Sequence, residues 1–83
     1  MTGSWGTAHD LRALEFADYC RRELKRDNFE MEVDGVRYRV NNIGGSVALY
    51  NHDRLTAHMG HDDFSENYKP PRGLDAKVLD RKR

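Results

Sequence analysis

The chain has 83 residues with 14 Lys/Arg, 14 Asp/Glu and a single cysteine. That length holds one domain with a small core, little of which can be carved into a deep catalytic cleft. The balanced charge gives no global field to attract nucleic acid or membrane, and one cysteine excludes an intramolecular disulfide or a four-cysteine zinc site.

Thr7-Ala8-His9-Asp10 reads as a helix start. Thr7 is placed to cap free N–H groups, and Asp10 sits favourably in the first turn. A helix is expected over 8–26, with Ala13, Phe16, Ala17, Cys20 and Leu24 on one stripe and Leu14 at its margin. Glu15, Asp18, Arg22, Lys25 and Arg26 fall on the opposite face, where Asp18 and Arg22 form a supportive i,i+4 pair. Leu11 and Tyr19 lie off the stripe. Asp27-Asn28 supplies a stop.

The period then changes from 3.6 to 2. FEMEV (29–33) alternates apolar and acidic residues, VRYRV (36–40) alternates apolar and basic ones, and Asp34-Gly35 between them is a strong hairpin signal. The two-residue turn sets Val33 opposite Val36, Met31 opposite Tyr38 and Phe29 opposite Val40. On the other face Glu32 meets Arg37 and Glu30 meets Arg39, so each arginine is expected to be neutralised. A tight Gly44-Gly45 turn places Val47 and Leu49 on the apolar face and Tyr50 on the other. A longer NNIGG loop would exchange them, because a one-residue slip swaps faces; the tight turn gathers more apolar volume on one side. A three-residue loop of His52, Asp53 and Arg54 would then bring Leu55, Ala57 and Met59 inward.

Residues 64–83 read as a polar, basic tail, extended or forming a short helix after Lys69-Pro70-Pro71-Arg72-Gly73. Residues 69–83 carry 6 Lys/Arg against 2 Asp/Glu, a net of +4, while residues 1–68 carry 8 against 12, a net of −4. The expected fold is therefore α+β: one N-terminal helix packed on a four-stranded antiparallel β-meander in two layers, with a domain over 1–63 and a tail over 64–83.

Chemistry finds little purchase in these residues. His52, His58 and His61, with Asp62 and Asp63, are the sharpest hint of a metal and hence of a metal-dependent enzyme, yet no spaced ligand motif gathers them. Cys20 lies on the buried stripe, where cysteine usually acts as a small hydrophobe. No nucleophile elbow and no phosphate loop is present. The sequence thus points away from an enzyme and from any cofactor or metal. It points toward a protein partner met by Arg37, Arg39, Tyr50 and His58 on the sheet and by Arg72, Lys77 and Arg81 in the tail, since Arg and Tyr dominate interface energetics. Nucleic-acid binding through the basic helix end (RRELKR, 21–26) and tail is the alternative. No apolar run suits a membrane span and no signal peptide is visible, so a cytoplasmic protein is expected. Size and composition are those of small phage or mobile-element proteins that regulate or inhibit a host complex.

Overall fold

A computed structural model describes residues 4–5 and 8–79. One helix packs on an antiparallel sheet, the α+β architecture expected. The elements are β1 (Ser4–Trp5), α1 (Ala8–Leu24), β2 (Asn28–Val33), β3 (Val36–Ile43), β4 (Ser46–Asn51), β5 (Arg54–Gly60) and β6 (Ala76–Leu79). The sheet order is β1-β5-β4-β3-β2-β6, so the four-stranded meander forms its centre and two short strands close its edges. Within the tail, Ala76–Leu79 takes the extended of the two expected forms. Thr7, as the expected helix cap, and Arg81 lie outside the described residues.

Three two-residue turns set the register. Asp34 and Gly35 both have positive φ (53° and 85°), as a hairpin turn matched to strand twist requires. Val33 accordingly pairs with Val36, Met31 with Tyr38 and Phe29 with Val40. Gly44, at φ 61°, turns β3 into β4, setting Leu49 opposite Val40 and Val47 opposite Asn42. The tight-turn register thus holds: Val47 and Leu49 are fully buried, and Tyr50 lies on the face away from the helix, opposite Arg39.

The third turn differs from expectation. His52 and Asp53 alone make it, at φ 53° and 66°, and Asn51 pairs with Arg54. Histidine and aspartate tolerate left-handed backbone better than arginine does, so Arg54 stays in the strand. The ladder then shifts between Leu49 and Tyr50: Tyr50 pairs with Leu55, while Leu49 pairs with Ala57, leaving Thr56 as the extra residue of a bulge. Ala57 and Met59 face the core, but Leu55 does not. It lies beside Tyr50 on the outer face and is 51% exposed.

The core joins Ala13, Leu14, Phe16, Ala17 and Cys20 of α1 to the inward residues of β2–β5. Leu24, expected in this stripe, is 46% exposed because it is the last helical residue and Lys25 turns left-handed immediately after it, at φ 57°. At the other helix end the Tyr38 hydroxyl lies 2.9 Å from His9 Nδ1, and His9 Nε2 lies 3.2 Å from the Val33 carbonyl. The Nε2–H tautomer satisfies both contacts. Arg12 adds a bond to Asp34 at 3.3 Å, tying the start of α1 to the first hairpin.

β5 and β6 lie near opposite edges of the sheet, so residues 61–75 must cross between them. They pass over the helix: Arg22 Nη1 donates to the Glu66 carbonyl at 3.3 Å, and the Tyr19 and Tyr68 rings meet edge to face at 6.2 Å. This crossing half-buries Tyr19 although it lies off the apolar stripe. It also explains Asp18, which the helical wheel places on the solvent face but which is 2% exposed. Its Oδ1 accepts from Arg21 Nη2 at 2.8 Å and Nε at 3.2 Å, and its Oδ2 accepts from Arg22 Nε at 3.0 Å. The expected Asp18–Arg22 pair forms, with Arg21 added and with the carboxylate buried.

Burial makes this cluster asymmetric. Both arginine side chains keep about a quarter of their surface exposed, whereas the carboxylate keeps almost none. Replacing Arg21 and Arg22 together with alanine strands a buried charge and should cost ~3–5 kcal/mol by urea denaturation. Asp18→Ala alone should cost less, because the Arg21 side chain is about a quarter exposed and Arg22 Nη1 keeps the Glu66 carbonyl. Adding Asp18→Leu to the double arginine variant should restore much of the loss.

Candidate functional site

The face of the sheet opposite α1 carries no covering element among the described residues, and the register arranges its side chains in transverse rows. The central row runs Leu55, Tyr50, Arg39, Glu30, Leu79 through β5, β4, β3, β2 and β6. At a strand spacing of ~4.8 Å, this row crosses ~19 Å of surface. A second row runs Arg37, Glu32, Lys77, and a third runs His58, Ala48, Asn41, Asn28. Arg37, Arg39, Tyr50, His58 and Lys77 are therefore brought onto one surface. Arg72 is exposed in the 61–75 connection, away from that surface.

At the centre the Arg39 guanidinium sits 5.2 Å from the Tyr50 ring centroid, a cation–π contact worth ~0.5–1 kcal/mol at an exposed site. Arg39 also reaches Asp53 at 3.5 Å, but that carboxylate is 90% exposed, so the pair is heavily screened. The expected Glu32–Arg37 neutralisation does not form as an ion pair. Glu32 has Arg37 on one side and Lys77 on the other, and its carboxylate forms an ion pair with Lys77 at 3.6 Å. The competitor is the edge strand β6, which hydropathy did not reveal. Arg37 is consequently exposed, and its guanidinium has no ion-pair partner among the described residues. A shallow depression of about 140 Å³ lies between Arg37, Arg39, Tyr50 and His52.

Two residues of this face were not anticipated. Leu55 arrives there through the bulge at Thr56, for which the sequence has no marker beyond a threonine in the strand. Leu79 arrives through β6. Its signal was the alternation AKVL itself, too short to distinguish a strand from a helical turn.

The remaining candidates are dispersed. His52 sits exposed in its turn, His58 lies on the outer face, and His61 Nε2 contacts Asn42 Oδ1 at 2.8 Å. Among the described residues no group of three or more His, Cys, Asp or Glu side chains is placed to hold a metal ion. The basic helix end is partly consumed internally, because Arg21 and Arg22 both serve Asp18. Among the described residues no helix is long and apolar enough to cross a membrane. The chain matches no family model, no curated protein and no solved structure.

Cys20 is buried, and its burial lifts the thiol from an ordinary 9.0 to about 11. Tyr38 is lifted from 10.0 to about 12, chiefly by burial, with further contributions from Asp10 and Asp34. Both groups hold their protons in the fold at pH values where the unfolded chain releases them. The stability they contribute is complete below the unfolded values and is lost as pH rises through the folded ones. Urea midpoints should fall from about pH 9 toward 12, and Cys20→Ala should flatten the segment between 9 and 11.

Proposed function

We propose that this chain is a small non-catalytic interaction protein that docks on a larger macromolecular complex as a regulator or inhibitor, through the bare face of its sheet. The observation that carries this reading is the central row. A tyrosine and an arginine held against each other lie between Leu55 and Glu30, with Leu79 beyond Glu30 and Arg37 beside them. Tyr and Arg are the side chains that most often anchor protein interfaces, and aliphatic neighbours exclude water around them. The cation–π contact biases the two side chains toward one arrangement, which lowers part of the entropy lost on docking.

Nucleic acid is the less favoured partner. Sheet platforms for single strands need several stacked aromatics beside unengaged cations. Here Tyr50 is the one aromatic in the three rows, and acidic Glu30 and Glu32 stand among the cations. The helix end offers less than its sequence suggests, since Arg21 and Arg22 are committed to Asp18.

Affinity capture from a native lysate, with and without nuclease, tests the reading. Capture of a protein complex should survive nuclease. It should drop about tenfold or more for a Tyr50→Ala, Arg39→Glu variant, consistent with loss of a hot spot of ~2 kcal/mol. A Lys25→Glu, Arg72→Glu variant should capture normally. Loss on nuclease treatment, or indifference to Tyr50 and Arg39, would reject the outer face as the docking surface.

A further inference from the structure

The edge of the sheet at β6 has a different character from the face. Among the described residues β6 pairs with β2 alone, and its other edge has no neighbouring strand. The bond from the Asp34 N–H to the Asp75 carbonyl, at 2.7 Å, fixes which groups are free. In an antiparallel ladder every second residue bonds a given neighbour, so Lys77 and Leu79 continue the ladder to β2. The N–H and C=O of Ala76 and Val78 therefore point outward. Such an edge is a template for another strand unless it is blunted; Ala76–Leu79 has no proline and no bulge, and only its four-residue length and Lys77, whose side chain lies on the outer face, limit pairing along it.

Beside this edge lies a groove of about 390 Å³ between the C-terminal half of α1 and β6, lined by Phe16, Cys20, Leu24 and Val78 with Glu23 and Arg26 among its walls. A strand added to β6 would lie ~4.8 Å beyond it, and its inward side chains would project at the level of Val78. That is where the groove lies and where Leu24 stands half exposed. Bare backbone edge and apolar groove are thus in register with one another.

We propose that the outer edge of β6 and this groove form a strand-addition site for an extended acidic segment of a partner protein. Its alternate aliphatic residues fill the groove, and its acidic residues face the Lys77 side. Charge selects the occupant. Lys77 is 65% exposed on the outer surface of β6, its pair with Glu32 is long at 3.6 Å and leaves it open to a second carboxylate, and the sequence of residues 69–83 carries a net +4. A carboxylate placed across from Lys77 makes a favourable cross-strand pair. A second copy of this chain would bring two segments of like net charge together. The site adjoins the Arg39–Tyr50 row, since Lys77 and Leu79 of β6 belong to the outer face as well, but it differs from it in lying at the sheet edge and reading backbone as much as side chain.

The test is a titration of the isotope-labelled full chain with a capped peptide of alternating glutamate and valine. Expected are shift changes at Cys20, Leu24 and Ala76–Leu79, with slowed exchange of the Ala76 and Val78 amides. Val78→Pro removes an outward N–H while leaving the ladder to β2 intact, and Leu24→Asp places a charge in the groove. Each should weaken binding about tenfold, and a serine–valine peptide should bind more weakly than the acidic one. Tyr50→Ala should bind as the parent does. Overturning results are no shifts, shifts confined to Arg37, Arg39 and Tyr50, equal binding by both edge variants, or equal binding of the serine–valine peptide. Equally contrary would be self-association in sedimentation that Val78→Pro abolishes.

Discussion

The structure depends on register. A strand exposes alternate residues to opposite faces, so each two-residue turn decides the fate of every side chain in the strand that follows. Asp34-Gly35 commits Phe29, Met31 and Val33 to the same side as Val36, Tyr38 and Val40, and Gly44-Gly45 commits Val47 and Leu49 to that side as well. The consequence for function is the complement of that packing. Once the apolar set is inward, Arg37, Arg39 and Tyr50 have only the outer face to occupy, and they occupy it as neighbours.

Packing on the inner side is completed by a buried charge. Residues 61–75 have to cross from one side of the sheet to the other, and their route over α1 encloses the Asp18 carboxylate that a simple two-layer arrangement would leave in water. Arg21 and Arg22 neutralise it, and Arg22 continues to the Glu66 carbonyl, so one cluster joins the helix to the crossing segment. The same arginines are thereby withdrawn from the helix surface. A feature that reads in the sequence as a basic patch becomes part of the interior support.

The central elements were legible because several local signals agreed. Turn chemistry, alternation and charge all specified the first hairpin, and the helix showed its stripe. What escaped the sequence was long-range. Nothing local to Asp18 announces that residues 61–75 will cover it. Nothing in AKVL announces that β2 will accept it as a neighbour, and that pairing diverts Glu32 from Arg37 to Lys77. Leu55 went outward because His52-Asp53 closed a tighter turn than expected and a bulge at Thr56 absorbed the difference. The candidate surface was accordingly visible in its centre, Arg39 and Tyr50, and invisible at its ends, Leu55 and Leu79.

Among the described residues the sheet has one covered and one bare face, with the Arg–Tyr row on the bare one. Paramagnetic quenching of NMR signals by a soluble, uncharged gadolinium chelate examines this side chain by side chain. The side-chain resonances of Arg37, Arg39, Tyr50, Leu55 and His58 should broaden, while those of Met31, Val40, Val47 and Leu49 should be spared. Quenching of Val47 and Leu49 with protection of Tyr50 would mean that β4 is turned over, and the surface described for docking would not exist.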